Sequence, residues 1–232
     1  MTYPLILLPG MMCDARLFRP QIDALSGRVA LMTAPVGGHD TMRALAAEVL
    51  ANAPPRFAIA GLSMGGILAM EVVRQAPDRV AGLALMDTNP LAELDEIKAR
   101  RAPQIAAAEA GELDRIMRDQ MIPNYLPEGA SNTAITDLCM DMAMGLGAGV
   151  FVNQSKALRD RIDQRDTLRA FRGPALVLCG RGDRLCPPER HDLMHDLIPT
   201  STLAVIEGAG HLPTLERPEE TTAALSRWLE DV

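Results

Sequence analysis

Short apolar runs alternate with longer amphipathic stretches along most of the 232-residue chain. Six runs have the length and composition of strands: Leu5–Leu8, Val29–Thr33, Phe57–Gly61, Val80–Met86, Ala175–Cys179 and Leu203–Ile206. Most of them are continuously apolar, which is typical of parallel strands buried on both faces. Helices are predicted at Thr41–Ala53, Met64–Ala76 and Pro218–Leu229. The alternation predicts an α/β fold with a mostly parallel sheet of about six strands, flanked by helices.

The alternation is interrupted once, between Leu91 and Arg169. This segment has no convincing strand and contains helix-like stretches instead: Leu91–Ala110, Glu112–Met121, Thr133–Leu146 and Val150–Asp160. Breakers such as Pro123, Pro127 and Gly129 separate them. We therefore expect a single domain, formed by residues 1–90 and 170–232, with a helical insertion at residues 91–169.

One serine lies where a catalytic nucleophile is expected. The segment Gly61–Gly65 (GLSMG) fits the pattern G-x-S-x-G, follows an apolar strand and opens a helix. The sharp turn between strand and helix holds the serine in a strained conformation, and side chains in place of the two glycines would collide with the strand and the helix. Ser63 is therefore predicted at the N-terminus of a helix, whose dipole favours negative charge.

A serine hydroxyl needs a base to accept its proton, and the chain has four histidines. His211 lies on a loop after the last predicted strand, and ligands of open parallel sheets bind at the carboxyl ends of the strands. His39 follows the second strand and could border the same site. His191 and His195 are four residues apart in a helical stretch, and we interpret them as one solvated helix face. The sequence predicts His211 as the base.

Two aspartates are candidates for the acid that orients the histidine. Asp183 follows the strand Ala175–Cys179, and Asp87 directly follows the strand Val80–Met86. The chain order serine, aspartate, histidine favours Asp183, and Asp87 stays as the alternative.

The tetrahedral intermediate of acyl transfer needs two N–H donors for its oxyanion. One is expected from the backbone of Met64, directly after the nucleophile. The other is expected from the loop after the first strand, where Gly10 lets the backbone approach closely and Met11 supplies the N–H group.

These motifs resemble those of the α/β-hydrolase superfamily, and more narrowly its small esterase-like members with a helical cap. The blocks that carry the resemblance are Leu5–Gly10 (LILLPG) for the oxyanion turn, 61–66 (GLSMGG) for the nucleophile, and 180–183 (GRGD) with 208–211 (GAGH) for the acid and the base. The resemblance spans nearly the whole chain. It implies an α/β-hydrolase fold with the strand before Ser63 in the centre of the sheet and residues 91–169 as the cap.

The chain departs from this pattern in two places. Many relatives have His-Gly in the oxyanion turn, whereas this chain has Pro9-Gly10, so the backbone donor is kept and a histidine side chain is lacking. The first predicted strand comes almost directly at the N-terminus, and we therefore expect a reduced sheet.

The predicted triad indicates a serine hydrolase of the carboxylesterase type, which cleaves an ester or related acyl bond through an acyl-enzyme. An acyltransferase or a C–C bond hydrolase would use the same three residues, and the latter would need a cationic pocket residue. The cap offers Arg100, Arg101, Arg159 and Arg161. A non-catalytic binding protein is disfavoured because all three triad residues are present. No metal and no organic cofactor are implied.

Composition and charge limit the classes of partner that we expect this protein to bind. A net charge of -7 without a dense Lys/Arg cluster argues against nucleic acid. No window approaches the roughly 18 to 20 apolar residues of a transmembrane helix, so no membrane partner is expected. The cysteines lack metal-ligand spacing and are expected to be free thiols in a cytoplasmic protein: Cys13, Cys139, Cys179 and Cys186. Five cap methionines favour an apolar small-molecule acyl substrate: Met117, Met121, Met140, Met142 and Met144.

Overall fold

Six parallel strands form the central layer of the structure, a computed structural model that describes residues 3–232. The strands are β1 (Leu5–Leu8), β2 (Leu31–Thr33), β3 (Phe57–Leu62), β4 (Val80–Met86), β5 (Ala175–Gly180) and β6 (Ser201–Ile206). Their order across the sheet is β2-β1-β3-β4-β5-β6, and each neighbouring pair is parallel. The predicted fold class and strand number are confirmed, and β3, which leads to Ser63, lies in the interior of the sheet.

The strands in the interior of the sheet have the unbroken apolar sequences. β1, β3, β4 and β5 are buried along their whole length, whereas β2 and β6 lie at the edges and are partly exposed. β6 begins two residues before its predicted start, because Ser201 and Thr202 pair with β5 and an edge strand does not need apolar side chains there. β2 begins at Leu31 rather than Val29, where its pairing with β1 begins.

Helices connect the strands and pack against one another in two groups. They are α1 (Arg19–Leu25), α2 (Met42–Asn52), α3 (Met64–Gln75), α4 (Asp95–Glu109), α5 (Leu113–Ile116), α6 (Thr133–Arg159), α7 (Arg165–Ala170), α8 (Pro188–Leu197), α9 (Pro213–Glu216) and α10 (Pro218–Glu230). In the first group, α3 contacts both α2 and α7, and α7 also contacts α8. In the second group, α1 packs against α10. Thr41 caps α2 by accepting a hydrogen bond from the N–H group of Ala44 (3.2 Å).

Between β4 and β5 lie residues 87–174, all of which the structure describes, and they contain no strand. α4, α5 and α6 contact one another and form the body of this insertion. The predicted end of the insertion at residue 169 falls inside α7. This helix packs against α3, and the Gln164 side chain just before it donates a hydrogen bond to Glu71 of α3 (2.9 Å).

The helices of the insertion follow the predicted pattern with shifted boundaries. The two helices predicted at Thr133–Leu146 and Val150–Asp160 are present as the two halves of α6, which are separated by a kink at Gly147 (φ 80°, ψ 173°). Only a glycine adopts that conformation readily, so the chain turns at Gly147 and a second helical segment follows directly. The helix predicted at Glu112–Met121 is short and continues as a π-turn at Met117–Met121.

Among the described residues, one helix is long and apolar enough to cross a membrane by length and composition, where the sequence pattern predicts none. This helix is α6, whose most apolar window has a mean hydropathy of 1.5. Core helices of soluble proteins meet the same criterion. α6 is broken at Gly147 and buries Phe151, Gln154 and Ser155, so we describe it as a helix of the insertion.

Candidate active site

The turn between β3 and α3 places Ser63 in a strained backbone conformation. Its φ is 55° and its ψ is -117°, a region that costs a non-glycine residue on the order of 1–3 kcal/mol. The two flanking glycines leave the space for the turn. A Cβ atom on Gly61 would lie 2.2 Å from the carbonyl oxygen of Gly65, and one on Gly65 would lie 1.9 Å from that of Leu8. Side chains at these two positions would therefore collide with the backbone, which is the steric reason for the glycines of the G-x-S-x-G pattern.

The structure brings the three predicted triad residues together. Nε2 of His211 lies 2.9 Å from Oγ of Ser63, and Nδ1 lies 2.9 Å and 3.0 Å from the two carboxylate oxygens of Asp183. The three residues follow β3, β5 and β6, whose carboxyl ends share one edge of the sheet. Asp183 and His211 are both buried. The distances are those of a proton path from hydroxyl to imidazole, with the carboxylate orienting the ring.

Asp183 is held in its charged form. Oδ1 accepts hydrogen bonds from the N–H groups of Leu185 (2.8 Å) and Cys186 (3.1 Å). Burial works to raise the pKa of Asp183, but the neighbouring His211 ring and these hydrogen bonds outweigh burial and lower the pKa below its ordinary value. The carboxylate is therefore available to stabilise an imidazolium cation.

Asp87, the alternative acid, lies at the carboxyl end of β4 and is fully buried. Its Oδ1 accepts a hydrogen bond from the N–H group of Gly180 (2.9 Å), and no hydrogen bond joins it to His211 within residues 3–232. Burial, followed by the charge of Asp183, raises the pKa of Asp87 well above its ordinary value. The buried carboxyl group of Asp87, behind the triad, therefore favours its neutral form.

Two backbone N–H groups next to Ser63 are free to bind an oxyanion. The amides of Met11 and Met64 donate no hydrogen bond to the part of the chain that the structure describes. A Cβ atom built on Gly10 would lie 3.5 Å from Cβ of Ser63, which places the turn after β1 beside the nucleophile. The turn does approach the nucleophile closely, but that distance is an ordinary contact, so a side chain at this position would not collide with it.

A residue of the insertion supports the oxyanion turn, and sequence reasoning missed it. The buried Gln154 of α6 accepts a hydrogen bond from the N–H group of Met12 (2.9 Å) and donates one to the carbonyl oxygen of Val36 (3.1 Å). Met12 has a φ of 55°, so the Gln154 side chain stabilises a strained turn. A lone glutamine in a helix carries no signal of such a role.

The loop of His211 is fixed by two further partners that the sequence did not reveal. The carboxylate of Glu216 accepts hydrogen bonds from the N–H groups on either side, those of Gly210 (2.9 Å) and Leu212 (2.9 Å). The carbonyl oxygen of Tyr125, from the insertion, accepts the N–H of His211 itself (2.7 Å). The ring is thus held from both the core and the insertion.

The interpretation of His191 as part of a solvated helix face is wrong. His191 is fully buried, and its Nε2 accepts a hydrogen bond from the N–H group of Thr88 (3.1 Å). The hydroxyl of Thr88 in turn donates to the carbonyl oxygen of Ser63 (2.7 Å). Burial lowers the pKa of His191 to about 4, so the ring is a neutral acceptor behind the nucleophile.

The two remaining histidines lie outside the candidate site. His195 is half-buried, and its Nδ1 lies 2.7 Å from the hydroxyl of Ser201. His39 is exposed, with Nε2 3.8 Å from a carboxylate oxygen of Glu48. Neither lines the cavity above Ser63.

A cavity of about 550 Å³ opens over Ser63 and His211, and residues of the insertion form much of its wall. Of the five cap methionines that predicted an apolar pocket, only Met121 lines it among the described residues, and Met11 joins it from the oxyanion turn. Met117 and Met142 are fully buried in the core, where they pack the insertion, and Met144 is exposed. The methionines of this segment are therefore packing residues for the most part.

Asp183, Cys186 and His211 are close enough for their potential ligand atoms to surround a metal ion, all lying within 4.8 Å of one another. The carboxylate and Nδ1 are already engaged with each other. Burial raises the pKa of the Cys186 thiol well above its ordinary value, so the group is protonated and a poor ligand. The donor set suits the hydrogen-bonded pair rather than a cation.

Fold and site together define an α/β hydrolase with a serine at the nucleophile position. The chain belongs to the alpha/beta hydrolase family, whose family model matches residues 5–225. Among curated proteins it is similar to the pimeloyl-[acyl-carrier protein] methyl ester esterase of Aliivibrio salmonicida (strain LFI1238), with 26% identity over 97% of this chain and 92% of the relative.

Solved structures agree with this assignment. The chain is similar to a thermophilic esterase from Thermogutta terrifontis in a malate-bound structure, with a TM-score of 0.89 and 28% identity over 98% of this chain and 89% of that chain. It shares its fold with the enol-lactonase of Burkholderia xenovorans LB400, with a TM-score of 0.86 and 21% identity over 99% and 92% of the two chains.

Proposed function

We propose that this protein is a serine esterase that hydrolyses carboxylic esters of small-molecule acids. The observation that carries the proposal is the hydrogen-bonded path from Ser63 through His211 to Asp183, which opens onto a cavity beside two free backbone amides. The esterases among its relatives support the same reaction.

The reaction follows from the geometry in two steps. His211 accepts the proton of Ser63 while the serine oxygen attacks the ester carbonyl, and the amides of Met11 and Met64 bind the oxyanion. The alcohol then leaves with the proton from His211, and the acid stays attached to the serine. Water, activated by the same histidine, attacks this acyl-enzyme and releases the carboxylic acid.

A panel of p-nitrophenyl esters with increasing acyl length tests the proposal. We expect the native protein to hydrolyse the short esters, and Ser63→Ala to lose roughly 10⁴- to 10⁶-fold in kcat, because the variant has no nucleophile. Ser131→Ala is the matched control, since this serine is exposed in the insertion, away from the cavity.

A fluorophosphonate probe gives an independent readout of the nucleophile. It should label the native protein and Ser131→Ala but not Ser63→Ala. Equal labelling or equal ester hydrolysis by Ser63→Ala and the native protein would contradict the proposal.

A further inference from the structure

The cavity above Ser63 has a charge opposite to that of the whole protein. The chain has a net charge of -7, yet the charged groups in the cavity wall, besides the triad histidine, are five arginines and one glutamate. They are Glu93, Arg100, Arg101, Arg161, Arg184 and Arg190. Surface arginines are commonly neutralised by neighbouring carboxylates, so an excess of this size in one cavity needs a reason.

The glutamate of this wall is shared by two of the arginines. The Arg101 guanidinium donates to both carboxylate oxygens of Glu93 (2.5 Å and 2.6 Å), and Arg161 donates to one of them (2.6 Å). All three side chains are almost entirely withdrawn from solvent, with exposed fractions of 12%, 9% and 3% for Arg101, Arg161 and Glu93. One carboxylate thus faces two guanidinium groups, and one positive charge is left without a counter-charge.

An unbalanced positive charge in a buried position is energetically costly, and the two guanidinium groups still have N–H donors without a partner. Nη2 of Arg161 and Nη1 of Arg101 make no hydrogen bond to the described residues, and neither atom is sealed inside the protein. Burial lowers the pKa of Arg161, which shows that Glu93 does not fully offset the cost of withdrawing its charge from water. The cluster is arranged to receive one further negative group from the cavity.

Building on the proposed esterase function, we infer that the substrate is a monoester of a dicarboxylic acid, whose free carboxylate binds Arg101 and Arg161 while its ester group reaches Ser63. A planar guanidinium donates two parallel hydrogen bonds to a carboxylate. Within the buried cluster of Arg101, Arg161 and Glu93 the excess is one positive charge, which matches one carboxylate and not a phosphate dianion. Hydrolysis of the monoester adds one water and yields the alcohol and the dicarboxylic acid, which leaves as a dianion.

A small anion fits these two arginines better than an acidic carrier protein does. The side chains of Arg101 and Arg161 lie inside the cavity and are nearly buried, where the surface of a folded partner cannot reach them. A carrier protein would contact the exposed Arg100 and Arg184 instead. The buried pair therefore points to the substrate itself.

The decisive measurement compares two esters of equal length and different charge. Monomethyl glutarate carries a free carboxylate, and its monoamide analogue carries a neutral group of nearly the same shape; the succinate and adipate pairs cover other lengths. For the best length we expect kcat/KM to be roughly ten- to hundredfold higher for the carboxylate ester, the usual worth of a charge-assisted hydrogen bond. Glutarate should also inhibit the hydrolysis of p-nitrophenyl acetate, and glutaramide should not.

Arg161→Met tests the assigned residue, with Arg159→Met, two positions earlier in the chain, as its matched control. Removing Arg161 leaves Glu93 paired with Arg101, so no buried carboxylate is stranded. In Arg161→Met, the kcat/KM for the ester with the free carboxylate, divided by that for its monoamide analogue, should fall to about one. It should stay at the native value in Arg159→Met, because that side chain pairs with Asp160 and does not line the cavity.

Failure of this inference can be told apart from failure of the esterase function. A native enzyme that hydrolyses p-nitrophenyl acetate but treats both members of every ester pair alike would overturn the inference alone. A preference for esters linked to an acyl-carrier protein over every free monoester would overturn it as well. If no ester is hydrolysed, the proposed function fails, and binding of monomethyl glutarate but not its amide to Ser63→Ala, measured by calorimetry, still decides the carboxylate site. If Arg161→Met does not fold, the native ratio and the glutarate inhibition decide it.

Discussion

Two buried aspartates lie near each other at the carboxyl edge of the sheet, and their environments give them different charges. Asp183 accepts hydrogen bonds from backbone N–H groups and from His211, and its pKa is lowered. Asp87 is deeper, faces the charge of Asp183, and its pKa is raised well above the ordinary value. The pair shows how one site favours the ionised form of one carboxyl group and the neutral form of the other.

Substitution of each aspartate by asparagine separates their roles. Asp183→Asn should lower kcat/KM for a p-nitrophenyl ester by roughly 10³- to 10⁴-fold, because the amide cannot hold the required tautomer of His211 or stabilise its cation. Asp87→Asn should stay within about threefold of the native value, because asparagine resembles a neutral carboxylic acid and tolerates its positive φ of 44°. The reverse pattern would assign the acid to Asp87.

The sequence predicts the three candidate catalytic residues that the structure brings together, but not the residues that hold them in place. Ser63 and His211 follow strands in short motifs whose glycines have a steric cause, so their pattern is local. Glu216, Gln154 and His191 act only through partners distant in the chain or through a loop that must first fold. Such residues leave no periodicity and no motif, and His191 on its helix could not be distinguished from a surface histidine.

At the scale of elements, α6 ties the insertion to the oxyanion turn. The helix spans Thr133–Arg159, and its second half carries Gln154 toward the turn after β1 and Arg161 follows just beyond its end. The break at Gly147 changes the course of the helix between the two halves. The glycine-rich run in the sequence predicts two separate helices here, and the kink at Gly147 confirms the interruption, although it is shorter than a loop.

Gly147→Ala should lower the free energy of unfolding by about 1–3 kcal/mol. The cost comes from the backbone alone, since a Cβ atom at Gly147 would meet no atom within 4 Å and its φ is 80°. Gly149→Ala is the control, because it has the same open surroundings without a positive φ. The control should be unchanged or more stable by up to about 1 kcal/mol. Urea unfolding curves of the two variants measure the difference, and equal stabilities would show that the break at Gly147 is not required.

Strands and helices were predicted with different success for a physical reason. The interior strands β1, β3, β4 and β5 are buried on both faces, so their apolar runs mark them without ambiguity. The edge strand β6 and the short helix α1 carry polar residues, and their boundaries depend on pairing and packing that a local pattern does not contain.

At the scale of the whole molecule, stability and the active site are coupled through the buried His191. Burial lowers the pKa of its ring from 6.5 to about 4, with a smaller contribution from His211, and outweighs the opposite effect of Asp183 and Asp192. In the unfolded chain the ring regains its ordinary pKa of 6.5, so between pH 6.5 and 4 the unfolded state binds a proton that the folded state does not. Stability therefore falls as the pH is lowered through this range.

This linkage predicts a measurable loss of folding stability at mildly acidic pH. Between pH 7 and pH 4.5, His191 should remove about 2–3 kcal/mol from the free energy of unfolding, since each unit of pKa difference corresponds to about 1.4 kcal/mol. In His191→Gln, which keeps an acceptor for the Thr88 N–H group but does not titrate, this part of the pH dependence should vanish. His195→Gln should retain it, because His195 is outside the buried network.

Urea unfolding of the three proteins at the two pH values isolates the contribution, because the acidic groups contribute nearly equally to all of them. If His191→Gln loses as much stability on acidification as the native protein does, the ring is not a buried neutral acceptor. Protonation of the ring in the folded protein, near its pKa of about 4, would break the hydrogen bond from Thr88, whose hydroxyl binds the carbonyl oxygen of Ser63. Acid would therefore loosen the support behind the nucleophile only at a lower pH than the range in which it destabilises the fold through the unfolded chain.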